Sequence, residues 1–561
     1  MSGERDPSGD AELARPLLAK PGDEGEVERL GIDEMLQKYS GEFGAWQLRH
    51  FVLTNLAWGL EAFHTMVMIF ADREPAWRCT SVAGPECFSA ATVCGLPAGS
   101  WEWVSGSGSS TVSEWGLICD EKYKVGLAQS AFFAGCMIGA GVFGHLSDSF
   151  LGRKGSLITV CVLNLVFGLL TSTAPGYWFY FLLRLLTGVS TGGVGLCAFV
   201  LSTEPVGPSK RGAVGMSTFY FFSGAIAFLA AIAYLFQTWR TLYLVTSIPT
   251  LVFLIAAVPF ISESPRWYLV RGKIAEAMSV MRAIAETNRS TLPDRVSLAL
   301  DNNNAAEKDP QPPVDGDGAS GSLIDVLRSP LTRSRLILAV VINLLTAVVY
   351  YGLSLNVVNL KTNLYLNVAL NGVAEMPAFF LTAIMIERFG RKPLTIGTMW
   401  FSGGFCAVGT FLPDSGPFKV VRMVCGVLGI FGMAGTYNLL FIYMAELFPT
   451  VVRNAALGCA SQAAQFGAIL APMVVVLRGR IPFAIFALSG VVGGVLAFWL
   501  PETLHQPLYD TLVGMEDAQG RGNRDSEEAV ITQGFPILPR LGRSSWGNYS
   551  MSIDSPEEGE N

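Results

Sequence analysis

Asp148-Ser149-Phe150-Leu151-Gly152-Arg153-Lys154 closes an apolar stretch, and it returns as Glu387-Arg388-Phe389-Gly390-Arg391-Lys392 further along the chain. Other charged landmarks repeat at nearly the same interval. Arg184 and Gly188 return as Arg422 and Gly426. Glu204, with Arg211 seven residues on, returns as Glu446 with Arg453. Glu263, ahead of Ser264-Pro265-Arg266-Trp267, returns as Glu502 in Pro501-Glu502-Thr503. The offsets all fall between 238 and 242 residues. A constant offset through apolar sequence implies two halves built on one plan, the pattern of a duplicated membrane bundle.

Composition agrees. The 561 residues are 51% hydrophobic and 15% charged, with a mean hydropathy of +0.41, which excludes a soluble multidomain protein. The net charge of -7 resides largely in polar tails and a central loop, and no basic stretch suits a nucleic-acid partner. Four histidines include no metal-spaced pair. No phosphate-binding loop is present, which argues against an ATP-driven pump. Gly188-Val189-Ser190-Thr191-Gly192 fits the serine-hydrolase pattern but sits inside an apolar helix with no strand before it, so an enzyme is not expected.

Twelve apolar stretches, from Phe51–Phe70 to Pro482–Leu500, are long enough or nearly so to cross a bilayer as helices. The expected organisation is an all-α membrane protein. It has a polar tail at 1–48, a first six-helix bundle at 49–261, a linker at 262–335, a second bundle at 336–500 and a disordered tail at 501–561. Arg153, Lys154, Lys210, Arg211, the segment 266–335, Arg388 to Lys392 and Arg453 all fall on one side, which puts both termini in the cytosol. The first span then serves as an uncleaved insertion signal. Leu30, Met35, Leu36, Tyr39, Phe43 and Trp46 are spaced for an amphipathic helix lying on the membrane, with a frayed tail up to Ser40 as the alternative.

The external loop 71–124 holds Cys79, Cys87, Cys94 and Cys119, an even number that predicts two disulfides in any of three pairings. It has no asparagine and so no N-glycosylation site. Within the linker, Lys273–Glu286 reads as an amphipathic helix and Asp301–Gly321 as flexible chain.

Two groups of residues carry chemistry. Asp148, Arg153, Glu204, Arg211, Glu263 and Arg266 lie at span ends, with Glu387, Arg391, Glu446, Arg453 and Glu502 as counterparts. Charge pairs and carboxylates at helix N-termini suit gating, because they form in one state and dissolve into water in another. The second group lies at membrane depth, where a carboxylate needs water, a partner or a cavity. Trp58, Glu61, His64 and Thr65 share one helical face. Asn367, Asn371 and Glu375 recur every four residues ahead of Pro377, with Asn367 near the outer boundary and within reach of water. Tyr350 and Tyr351 in the seventh span, Ser461, Gln462 and Gln465 in the eleventh, and Asn438 and Tyr443 in the tenth complete the set. Aromatic rings beside a carboxylate suit a quaternary or protonated amine. Either buried carboxyl also suits a coupling proton.

The Gly144, Asp148, Gly152-Arg153-Lys154 phrase and its second copy resemble the major facilitator superfamily. The cysteine-bearing first loop, Glu263-Ser264-Pro265-Arg266-Trp267, Tyr350-Tyr351-Gly352 and Glu446 to Asn454 are similar to its organic cation/carnitine transporters. Cys197 to Glu204 looks like the plant branch. The resemblance covers roughly residues 40 to 505. It implies two pseudo-symmetric six-helix bundles and alternating access. It also implies a small organic cation or zwitterion as substrate (carnitine, choline or polyamine-like), a proton or sodium ion as coupling partner if any, no cofactor, and action as a monomer in a plasma or vacuolar membrane. Two departures stand out. The first latch carries one extra residue before Gly152, and the charged position of the eleventh span is Gln465, which leaves the sign of the substrate charge open. A sugar or polyol porter, and a non-transporting receptor or scaffold, are the rival readings.

Overall fold

The computed structural model describes residues 28–506 and Met515, apart from 82, 83, 91, 294, 300–322, 361, 414, 478 and 505. The flexible chain expected over 301–321 and most of the tail expected after 502 lie outside the described residues.

We number the membrane helices in chain order. Before the linker come α1 (Ala45–Ala71), α2 (Tyr123–Asp148), α3 (Gly152–Ser172), α4 (Tyr177–Thr203), α5 (Pro208–Leu235) and α6 (Trp239–Ala256). After it come α7 (Pro330–Asn356), α8 (Leu364–Phe389), α9 (Arg391–Phe411), α10 (Phe418–Leu447), α11 (Thr450–Val476) and α12 (Ile481–Ala497). Eleven are long and apolar enough to cross a membrane, and α12 is the short one at 17 residues. At about 1.5 Å per residue it still rises ~25 Å, at the lower limit for a hydrocarbon core. Prolines open α5, α7 and α12 in their first turns, where the missing N–H is no loss. Alternating passes bring the start of α1, the linker and the end of α12 to one face, the terminal face; the cysteine loop lies on the other, the loop face.

The loop face carries a small cross-linked lobe. Strand β2 (Trp77–Cys79) pairs antiparallel with β3 (Trp101–Trp103), and the disulfides are Cys79–Cys87 and Cys94–Cys119. The lobe is docked onto the first half. Thr111 donates to Asp72 at 2.8 Å, Tyr180 donates to the same carboxylate at 2.7 Å, and Glu114 accepts from Trp239 Nε1 at 2.7 Å.

On the terminal face the start of the chain departs from its expected position. Strand β1 (Glu28–Leu30) pairs in parallel with β4 (Val296–Leu298) of the linker. Ile32, Met35, Leu36 and Trp46 are buried against Leu269, Met278, Met281 and Ile284, the last three on the linker helix Ile274–Thr287. Residues 28–48 are therefore neither a free tail nor a helix lying on the membrane. Their apolar side chains find a drier partner in the amphipathic face of the linker helix.

The two halves meet along α2 and α11 and along α5 and α8. Near the loop face, Ser130 of α2 donates to the Ile469 carbonyl of α11 at 2.7 Å, and Gly126 lies against Met473 and Val476. Gly141 and Gly458 occupy the same helix faces three turns further towards the terminal face. There, no atom lies within 4 Å of where a side chain would begin. The halves thus close at the loop face and part at the terminal face. Phe199, Phe219 and Phe441 still touch across the gap, with Phe199–Phe441 at 6.2 Å and Phe219–Phe441 at 5.9 Å.

Candidate functional site

The centre of the seam is an aromatic and carboxylate cluster. Glu61 of α1 lies flat on α4, where its Oε2 occupies the space that a side chain on Gly195 would need, and this oxygen is buried with no hydrogen-bond partner. It is within Coulombic range of Tyr351 and Tyr437. Trp58, one turn earlier, meets Phe219 and Phe222 edge-on, and its Nε1 is also unpartnered. From the second half, Tyr350 stacks on Tyr437 at 5.3 Å, and Tyr351 packs against Phe133 of α2 at 4.8 Å. A buried carboxylate oxygen without a donor is costly unless something supplies a positive or hydrogen-bearing group. With Tyr351 and Tyr437 near it, this oxygen is suited to an ammonium ion.

Glu375 of α8 is buried and fully engaged. Tyr350 donates to Oε1 at 3.0 Å, and Ser223 of α5 donates to Oε2 across the seam. One turn away, Gly372 lets α8 lie against the α5 backbone, where an added Cβ would stand 2.7 Å from the Ser223 carbonyl oxygen. Gln462 is exposed and Gln465 half-buried on the open face of α11, and Ser461 is exposed beside them.

Other expected pathway residues are placed differently. His64 is buried inside the first half, with its ring in the notch left by Gly168 of α3 and its carbonyl accepting from Arg184. It does not join Glu61, because the i+3 step turns it away from the seam. Thr65 is buried as well. Asn367 does not meet water; it is buried and donates to Thr362 at 2.7 Å. Asn371 is buried, and Asn438 is buried with both side-chain polar atoms unpartnered. Tyr443 ties α10 to the Pro501 carbonyl at 2.7 Å instead of facing the seam.

The charged span ends form two matching assemblies. In the first half, Arg153 pairs with Asp148 and with Glu204 at 3.1 Å, while Glu263 accepts from the Arg153 and Lys154 N–H groups, both at 3.0 Å, at the start of α3. In the second, Arg391 bonds both oxygens of Glu446 at 2.9 Å and approaches Glu387 at 3.6 Å. Glu502 accepts from the Arg391 and Lys392 N–H groups at 2.9 and 3.0 Å, at the start of α9. Burial works against ionisation of Glu502, but the N–H groups of Leu504, Arg391, Lys392 and Thr503 hold its carboxyl below its ordinary range. Arg211 donates to the Val206 carbonyl at 2.9 Å, and Arg453 donates to the corresponding Phe448 carbonyl at 3.3 Å. Among the described residues, every ion pair at this face joins groups of the same half.

Four contributors escape sequence reasoning. Asp33 pairs with both Arg211 and Arg266, residues 178 and 233 positions away. Ser223, Asp72 and Tyr437 make contacts 152, 108 and 87 positions away. Only Tyr437 had a signal, its place beside Asn438 in a span otherwise almost free of polar groups.

A family profile described as "Sugar (and other) transporter" matches residues 100–512. "Organic cation/carnitine transporter 4" of Arabidopsis thaliana is 63% identical over 526 residues, spanning 92% of this chain and 98% of that protein. "Solute carrier family 22 member 15-like" of Xenopus laevis is 38% identical over 416 residues, 73% of this chain and 82% of the relative. The inward-open structure of the xylose transporter XylE from E. coli superimposes with a TM-score of 0.57 at 16% identity, covering 82% of this chain and 98% of that one. The last likeness carries the fold and the first two carry the family. The chain is a major facilitator superfamily transporter and belongs to the organic cation/carnitine transporter family.

Proposed function

We propose that the protein moves small organic cations or zwitterions of the carnitine and choline kind across a membrane by alternating access. The observation that carries this reading is the unpartnered Glu61 Oε2, which lies near Tyr351 and Tyr437 of the second half, with the Trp58 ring one helical turn away and Tyr350 stacked on Tyr437. An ammonium group arriving there supplies the missing charge, and each ring face adds about 0.5–2 kcal/mol of cation–π attraction. Gln462 and Gln465, on the open face of α11, offer amides to a carboxylate or hydroxyl at the other end of a zwitterion. Asn371 and His64 act as supports of this site, one in α8 and one behind α1.

Transport follows from exchanging which face is closed. The halves separate at the terminal face here, and the Arg153 and Arg391 assemblies keep each half rigid while it rocks. The basic residues gathered on the terminal face support a cytosolic location for both termini, and hence an inward-facing state. Glu61 and Glu375 are the groups that would take a coupling proton, and the same carboxylates would face a coupling sodium ion. The pathway lies between the two halves of one chain, which supports action as a monomer in the plasma or vacuolar membrane.

Uptake into vesicles reconstituted with the purified chain tests the reading. Labelled carnitine, choline and tetraethylammonium should accumulate while xylose and mannitol do not, and Glu61→Gln should abolish cation uptake. A pH gradient, with and without an uncoupler, separates coupled from facilitative transport. Sugar uptake that survives Glu61→Gln would overturn the proposal, and binding without flux would point to a receptor.

A further inference from the structure

The second half contains a crevice that the first half has closed. Helices α8, α9 and α10 enclose about 390 Å³, lined chiefly by Leu381, Met385, Phe389, Gly397, Phe401 and Phe431. None of its lining residues belongs to the site described above. In the first half the matching helices α2 and α4 touch backbone to backbone. A Cβ on Gly139 would stand 1.9 Å from the Val189 carbonyl oxygen, and one on Gly192 would stand 2.2 Å from that of Cys136. The repeat puts Ala378 and Ile430 at these two positions in the second half, so the glycine-to-backbone contacts of the first half have no counterpart there.

The crevice opens sideways between α8 and α9. Leu381, Phe389 and Phe401 on its rim are 43%, 58% and 39% exposed, and the space beside Gly397 is empty to 4 Å. Exposed apolar side chains within a span face hydrocarbon, so the natural filler is lipid rather than water. At the terminal end, the lining residues Phe389 and Pro393 are flanked by Arg388 and Lys392. Neither cation has an ion pair among the described residues, while the nearby Glu387 is taken by Arg391. A hydrocarbon slot beneath two uncommitted cations matches a lipid with a negative head.

We propose that this crevice holds one acyl chain of an anionic phospholipid whose headgroup rests on Arg388 and Lys392. The lipid fills the void that looser packing leaves in the second half, and it contacts α8 within two turns of Glu375.

Native mass spectrometry of the purified full chain, titrated with phosphatidylglycerol or phosphatidylcholine, tests the site. The wild type should retain one phosphatidylglycerol in preference to phosphatidylcholine. Arg388→Gln, at an exposed position, should weaken phosphatidylglycerol retention by about fivefold and leave phosphatidylcholine unchanged. Gly397→Leu, whose Cβ meets no atom within 4 Å, should place its side chain in the crevice and remove the retained lipid; an unchanged melting temperature shows that the variant is folded. Equal retention of both lipids by the wild type, or undiminished retention in Gly397→Leu, would overturn the proposal. So would full competition by soluble glycerophosphate, because then the headgroup alone would bind.

Discussion

Ser223 of α5 donates its hydroxyl to Oε2 of Glu375 in α8, so a buried carboxylate of one half is held by the other. A hydrogen bond to a charged group contributes about 1.5–3 kcal/mol, and this one acts directly on the seam. We expect Ser223→Ala to lower the melting temperature and to loosen closure at the loop face. A cysteine in place of Ser130, buried at the α2–α11 contact, should then react faster with a membrane-impermeant thiol reagent. Tyr350→Phe removes the partner bond at 3.0 Å within the second half and should cost comparable stability with no change in that labelling. Equal labelling in both variants would show that Ser223 does not tie the halves.

Each charged assembly pairs its arginine with one sheltered carboxylate and one exposed carboxylate. Arg391 grips Glu446 through two bonds of 2.9 Å with side chains 11% and 20% exposed, whereas the Asp148 partner of Arg153 is 69% exposed. Exposed pairs contribute little, and paired, poorly hydrated ones contribute more. Glu446→Gln should therefore slow transport by about tenfold, the equivalent of ~1.4 kcal/mol, while Asp148→Asn changes it less than twofold. Initial uptake rates normalised to surface abundance will decide, and the reverse order would contradict the geometric argument.

Gly152 and Gly390 carry φ of +77° and +87°, and a Cβ on them would stand 2.5 and 2.6 Å from the capping oxygens of Glu263 and Glu502. A left-handed residue other than glycine costs about 1–2 kcal/mol before any clash is counted. Alanine at either position should reduce folded yield and melting temperature. Gly458→Ala, with open space around it, should leave both unchanged.

Glu502 provides a pH signature. A carboxyl whose pKa falls on folding stabilises the fold above its ordinary value of 4.5, and that stabilisation is lost as pH drops through the lower, folded value. The melting temperature of Glu502→Gln should lie below the wild type at pH 7, with the gap narrowing as the pH falls below 4.5. A gap that stays constant with pH would mean that the carboxylate charge is not what holds the start of α9.

The helices and their duplication were legible because hydrocarbon imposes a simple rule, long apolar runs with charges only at their ends. The capping carboxylates Glu263 and Glu502 were legible for the same reason, as charges standing at repeated distances from glycine. Contacts between distant segments were not. Nothing in the spacing of Leu30 to Trp46 separates a helix on lipid from one packed on Met278 and Met281. The i+3 step from Glu61 to His64 put both on one face, but the bundle divides that face between the seam and the interior of the first half. The disulfide pairing, open among three arrangements in the sequence, is Cys79–Cys87 and Cys94–Cys119, set by how the loop folds and not by spacing.

The parallel pairing of Glu28–Leu30 with Val296–Leu298 also sets an order of assembly. During synthesis, Asp33 can meet Arg211 once four spans have been made and Arg266 once six have been made. Strand β1 has nothing to pair with until residue 298 has left the ribosome. Pairing of Glu28–Leu30 thus marks completion of the first bundle, a checkpoint reached before α7 begins to insert.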